Sequence, residues 1–344
     1  MSRKRTVFAA IKDKVNGICA YKRLGGWRLA LAAEGDNLFR TGKKAEALKR
    51  AMLSAPLEKI AEFHKWQYES STGETLDYFH PKNFPQKLQQ VLIYDALPIK
   101  TRLADKILMK EYVAQKIGDG STPKTYGVWE SFDEIDFDSL PDKFALKTNH
   151  ASKTNYLVPD KSALDTADAR KCFEKWMGIN YGATEFCELH YKDIHPYIFA
   201  EEYLSSSRGV IYNYSILCIL GEPEAIRIVE DTGDKSRKRQ AVYDAAGNRL
   251  YMKGFDADCV EADIPVPENI GELFDIARKL STDADLVRVD LYGVDGKIYV
   301  SELTFTPCAC KFGAVRYPSN WTFLSPRAAG WICAPPKNIP RDGE

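Results

Sequence analysis

The sequence predicts an α+β fold, with a helix-rich N-terminal stretch ahead of a larger body built mainly from antiparallel strands. Three observations carry that expectation. Residues 39–66, FRTGKKAEALKRAMLSAPLEKIAEFHKW, are rich in helix formers. Further on, PYIFAEEYL, VIYNYSILCIL, AIRIVE, QAVYD and RLYMK succeed one another, punctuated by the turns GEP and DAAGN, as hairpin-connected strands do. Helices and strands do not alternate in a regular βαβ series, which argues against a parallel sheet.

Taken in order, the start MSRKRTVFAAIKDKVNGICAYKR is basic, but Lys12 and Asp13 interrupt its apolar run VFAAI, so neither a signal peptide nor a membrane span is expected. Pro56 divides 39–66 into two helices. The Ser, Thr and Gly cluster followed by prolines, SSTGETLDYFHPKNFPQK at 70–87, reads as a connection. A boundary is set near residue 75, giving a helical extension over 1–75 and a main domain over 76–335, divided near 200. Leu103, Ile107, Leu108, Tyr112, Val113 and Ile117 share one face at helical spacing, predicting a helix over 101–117 with Lys106 near its start. FALKT (144–148) and NYLV (155–158) read as two strands joined by the polar loop HASKT. A helix over 163–178 precedes the strand-rich region. Another follows Pro267, with Ile270, Leu273, Phe274, Ala277 and Leu280 on one side, before two closing strands around VDG. There is no internal repeat, low-complexity segment or GxxxxGK[ST] loop.

Forty-eight basic and forty-eight acidic residues balance in the 344-residue chain, so nothing global points to nucleic acid or an anionic membrane. With no export signal read, the eight cysteines are expected as reduced thiols in a cytoplasmic protein. Cys308 and Cys310 form a lone CxC with no second pair and no nearby histidine, so packed thiols are favoured over zinc.

The chemistry concentrates in RVDLYGVDGKIYVSEL, 288–303. In such a hairpin Asp290 and Glu302 lie on neighbouring strands and can share a face. Two oxygen ligands on a rigid platform suit Mg²⁺, which takes carboxylates together with phosphate oxygens and water; the alternative is a solvated surface hairpin. Lys147, inside an apolar strand, needs an anionic partner unless it snorkels from a strand edge. The cluster KSRKR at 235–239 could receive an acidic sugar or a diphosphate, or be a solvated loop.

The ordered set KLQQVLIYD, TRLADKILMKEYVAQKIG, FALKTNH, FAEEYL and LVRVDLYGVDGKIYVSELTFTP resembles the TupA-like ATP-grasp family, named for a teichuronopeptide biosynthesis protein, over roughly 81–331. The resemblance implies an ATP-grasp fold, in which two α+β subdomains enclose ATP. It also implies that Lys106 and Lys147 contact the phosphates, with Ser152 on the loop between the strands. Glu201, Glu202 and the backbone up to Leu204 would read the adenine, Asp290 and Glu302 would hold Mg²⁺, and Arg288 would stabilise the reacting acyl centre. Three departures stand out. Relatives carry a loop resembling NHGSGGN where this chain has NHASKTN, so Ala151, Lys153 and Thr154 replace residues that let backbone approach phosphate. Thr304 stands where a third metal ligand, often asparagine, is found, leaving one metal ion or two open. Asn213-Tyr214-Ser215 stands where relatives tend to show DYK.

The resemblance implies a carboxylate-amine ligase that forms an amide through an acyl phosphate. By resemblance alone, its setting is capsule, O-antigen or exopolysaccharide synthesis, with an amine or amino acid joined to a uronic acid and a peripheral association with the polysaccharide assembly machinery. Phosphotransfer to a sugar hydroxyl and a catalytically impaired nucleotide-binding scaffold are the alternatives. No side-chain nucleophile is required, and of the five histidines only His150 lies beside the loop.

Overall fold

A computed structural model describes residues 19–25, 43–184, 186–234, 238–251, 260–307 and 324–336. Helix α1 (19–25) is followed by α2 (Lys43–Ser54) and α3 (Leu57–Thr72), divided at Pro56 as predicted. Helix α3 runs past residue 66 and stops where Gly73 takes a left-handed φ of 74°. The Ser-Ser-Thr cluster at 70–72 is therefore its last turn and not part of the connection. Next, α4 (Phe84–Tyr94) starts where the Asn83 side chain accepts from Gln86 N. Gln86, Lys87, Gln89 and Gln90 are buried on it because each finds a polar partner; Lys87 Nζ, for one, donates to Gln90 Oε1 (2.5 Å) and Ala334 O (2.8 Å). These helices share a core built on Met52, Phe63, Phe84 and Leu92, which Ile219, Leu286 and Trp331 also enter.

The single helix expected over 101–117 is two, α5 (Pro98–Ala104) and α6 (Leu108–Ile117). Asp105 causes the break, since its carboxylate accepts from the Ile107 and Leu108 backbone N–H at 2.8 and 3.2 Å and restarts the helix.

A first antiparallel sheet contains β1 (Thr125–Trp129), β2 (Phe144–Thr148), β3 (Asn155–Val158) and β4 (Ile198–Glu202) in the order β1-β4-β2-β3. Phe144, Leu146, Ile198 and Ala200 point from it into a core shared with Ala169 and Phe173 of α7 (Thr166–Met177). The strand read from PYIFAEEYL ends at Glu202, so Tyr203 and Leu204 lie beyond the sheet.

The larger sheet runs β11-β10-β5-β6-β7-β8, antiparallel along that path, from β5 (Ile211–Ile219), β6 (Glu222–Asp231), β7 (Arg239–Asp244), β8 (Arg249–Leu250), β10 (Leu286–Val294) and β11 (Lys297–Thr304). The short β9 (Val260–Glu261) pairs parallel to β7. Helix α8 (Ile270–Leu280) lays Leu273, Phe274, Ala277 and Leu280 against this sheet's Ile216, Ile226, Ile228 and Val289. A final helix, α9 (Pro326–Ile332), supplies Trp331 to the first core. Asp295 and Gly296, with φ of 48° and 86°, close the β10–β11 hairpin in the two-residue turn whose twist matches its strands.

Candidate functional site

The β10–β11 register sets Arg288 opposite Thr304 and Asp290 opposite Glu302. A bulge follows immediately, because Leu291 pairs with Val300 and leaves Ser301 as the extra residue. Alternation thus brings all four side chains to one face. The Arg288 guanidinium forks onto Asp290, Nε 2.8 Å from Oδ1 and Nη2 2.7 Å from Oδ2, and Nη2 also reaches Glu302 Oε1 at 3.4 Å. Thr304 Oγ1 sits 3.0 Å from Asp290 Oδ2 and 3.1 Å from Glu302 Oε1. On the neighbouring strand Ser215 stands opposite Asp290 and its hydroxyl donates to that carboxylate. Burial pushes Asp290 above the usual carboxylate range, against the pull of Arg288. For Glu302 burial acts the same way, but Lys106 and Arg288 outweigh it and hold the group below that range.

The lysines come from the other side. Lys147 on β2 is diagonal to Glu201 on β4, and its Nζ lies 2.5 Å from Glu201 Oε1. Burial opposes the charge on Lys147, yet Glu201 more than offsets it and the ammonium titrates above its ordinary value. The other carboxylate oxygen of Glu201 takes Lys110 Nζ at 2.7 Å. Burial raises Glu201 while the two lysines lower it further, leaving it below 4.5. Lys106 Nζ donates to Ala151 O (2.8 Å) and lies 3.7 Å from Glu302 Oε2, so it links the loop after β2 to the carboxylate pair.

The loop between β2 and β3 is held from beneath. Asn149 Nδ2 donates to Asp105 Oδ2 at 2.7 Å and its Oδ1 accepts from Tyr197 N at 2.7 Å. Lys153 of this loop takes a left-handed φ of 60°, a conformation glycine adopts most readily. Ser152 is exposed and hydrogen-bonds the Tyr181 hydroxyl. His150 is buried, with Nε2 3.1 Å from Ile179 O, and its burial lowers it.

Asp290, Glu302, Arg288 and Lys106 therefore form one charged group and Glu201, Lys147 and Lys110 a second, with Glu302 and Lys147 acting on each other electrostatically. Glu202 stands apart, its carboxylate accepting weakly from Lys124 N at 3.4 Å, and half-buried Leu204 follows it. Lys110 escaped the sequence reading; the available signal was its position four residues after Lys106, the spacing of one helical turn. Of the basic cluster, Lys238 pairs with Asp231 (2.5 Å) and Arg239 with Glu230 (2.9 Å), while 235–237 lie outside the described residues, as do Cys308 and Cys310. A cavity of about 310 Å³ between α4 and Trp331 includes none of the site residues. Among the described residues no group of three or more His, Cys, Asp or Glu could hold a metal ion, and no helix is long and apolar enough to cross a membrane.

The fold is that of an ATP-grasp protein, two antiparallel sheets with helices, Lys147 on a strand of one sheet and Asp290 and Glu302 on the closing hairpin of the other. The chain belongs to the TupA-like ATP-grasp family, whose sequence model matches residues 86–316. Among solved structures it is similar to D-alanine–D-alanine ligase from Bacillus anthracis, at 15% identity and TM-score 0.35, covering 59% of this chain and 57% of that one. It is also similar to phosphoribosylamine–glycine ligase from Thermotoga maritima, at 14% identity and TM-score 0.36, covering 62% and 51%. The matches thus span little more than half the length of those ligases. No curated protein matches the chain.

Proposed function

We propose that this protein is an ATP-dependent carboxylate-amine ligase, joining an amine or amino acid to a uronic acid through an acyl phosphate in the cytoplasmic synthesis of a capsule, O-antigen or exopolysaccharide. The observation that carries the ligase reading is the 3.7 Å approach of Lys106 to Glu302, which sets phosphate-binding cations beside a pair of carboxylates. The polysaccharide setting, and a peripheral association with its assembly machinery, rest on the family resemblance.

Asp290, Glu302 and the Thr304 hydroxyl offer hard oxygen donors on one strand pair without a complete cage, the donor set Mg²⁺ uses when phosphate supplies its other ligands. When bound there, the ion would neutralise charge on the transferring phosphoryl group. Lys106 and Lys147 orient the polyphosphate, with Ser152 on the loop beside it. Glu201, Glu202 and the backbone to Leu204 border the adenine. Arg288, released from the carboxylates it bridges, stabilises the oxyanion that forms when the amine attacks.

ADP release should require both an acidic sugar and an amine, hydroxylamine should trap the acyl phosphate, and the product mass should equal the sum of the two substrates minus water. A product heavier by one phosphate, with no dependence on amine, would place the protein among kinases on this scaffold. Tight ATP binding with no turnover across an acceptor panel would make it a nucleotide-binding scaffold.

A further inference from the structure

We propose that Lys110 is a positioning residue for the nucleotide phosphates: it anchors Glu201 so that Lys147 faces the polyphosphate with its positive charge uncancelled. The inference rests on the ATP-grasp reading of Lys147 and adds a residue which that reading does not include.

The geometry is specific. Glu201 is buried and divides its two oxygens, Oε1 to Lys147 at 2.5 Å and Oε2 to Lys110 at 2.7 Å. Lys110 uses its remaining two hydrogens on Pro123 O (2.8 Å) and Thr125 Oγ1 (2.9 Å), and its ammonium lies over the Phe199 ring. It is saturated within the protein and has no hydrogen left for a ligand. Lys147 has Glu201 as its one ion-pair partner among the described residues, which leaves its other hydrogens for a ligand. Two ammonium groups against one carboxylate leave the trio with a surplus positive charge. Without Lys110, Lys147 and Glu201 would be a neutral pair, and Glu201 would be free to turn both oxygens onto Lys147. Water-poor surroundings magnify that difference.

The test measures ATP, ADP and adenosine binding to the full chain by calorimetry. Lys110→Met should weaken ATP and ADP by about tenfold, a difference of about 1.4 kcal/mol, and weaken adenosine, which meets Glu201 but carries no phosphate for Lys147, by clearly less. Lys110→Arg should restore most of the loss. In a Lys147→Met background Lys110→Met should have little further effect, because the two act through one carboxylate. Thr125→Val, a milder change that loosens the Lys110 anchor, should give a smaller loss in the same direction and serves if Lys110→Met does not fold. Equal loss of adenosine and ATP, additive losses in the double variant, or ATP binding unaffected by Lys110→Met and Thr125→Val would overturn the role of Lys110. Absence of ATP binding by the wild-type protein would instead overturn the nucleotide reading, and this inference with it.

Discussion

Asp290 and Glu302 face each other across one rung of the β10–β11 ladder, with the Arg288 guanidinium bonded to both. Neither carboxylate is far from a positive charge, so a divalent cation entering between them would compete with Arg288 rather than fill an idle site. Glu302→Gln halves the anionic charge of the pair while preserving its shape. It should reduce ADP release by at least about 100-fold, the scale on which a preorganised charge-stabilising group acts. Chelation of divalent ions should do the same to the wild-type protein. Turnover by Glu302→Gln at the wild-type rate would remove the metal assignment.

Glu201 carries two ammonium groups in a place water scarcely reaches. Glu201→Gln leaves both without their counterion and should lower stability by roughly 3–5 kcal/mol, as for a broken buried pair. Because the folded carboxylate titrates below 4.5, its stabilisation is complete above that pH and is lost as pH falls through the lower folded value. Urea midpoints followed from pH 6 to 3 should therefore fall less steeply in Glu201→Gln than in the wild type.

His64 and His190 are both buried, and burial pulls each down from 6.5 to about 3. Both stay neutral in the folded chain while the unfolded chain takes up a proton on each below pH 6.5. Stability should thus be complete above that value and decline toward pH 3, by about 1.4 kcal/mol per pH unit for each histidine. His190→Leu should remove about half of the slope contributed by the pair. Thermal melting against pH reads the result, and an unchanged slope in the variant would contradict the assignment.

Lys153 holds a left-handed backbone that costs a residue with a side chain roughly 1–2 kcal/mol. Lys153→Gly should stabilise the protein or be neutral, whereas Lys153→Val should destabilise it by more than about 1 kcal/mol. Denaturant midpoints of the two variants should bracket the wild type.

Gly182 follows Tyr181 in a short turn, and a Cβ there would fall 2.3 Å from the Lys192 backbone nitrogen. Gly182→Ala should cost about 1–3 kcal/mol, the usual range for overpacking. Because Tyr181 hydrogen-bonds Ser152, the variant should also weaken ATP binding; calorimetry and melting together check both effects.

Much of the site could be read locally. An apolar strand holding one lysine is enough to demand an anion near Lys147. Alternation counted from the Asp295-Gly296 turn would set Asp290 opposite Ser301 and send Glu302 to the other face, and it is the bulge at Ser301 that makes Asp290 and Glu302 partners. The split of 101–117 was harder to see, since an apolar stripe at helical spacing continues through Asp105 and only that side chain's capping bonds interrupt the helix. The buried face of α4 was hidden for a related reason. Gln86, Lys87, Gln89 and Gln90 look like surface residues until partners distant in the chain, such as Ala334 O, satisfy them.

What the sequence by itself determined is most of the strands and the hairpin turn that carries the two carboxylates on adjacent strands, governed by neighbours within a few residues, whereas the bulge at Ser301 that turns them to one face belongs to the folded ladder. What only the tertiary structure decided is which cations those carboxylates meet. Lys106 reaches Glu302, and Lys110 and Lys147 converge on Glu201, across gaps of up to 196 residues. Burial and Coulomb attraction depend on distance in space, which no local pattern carries.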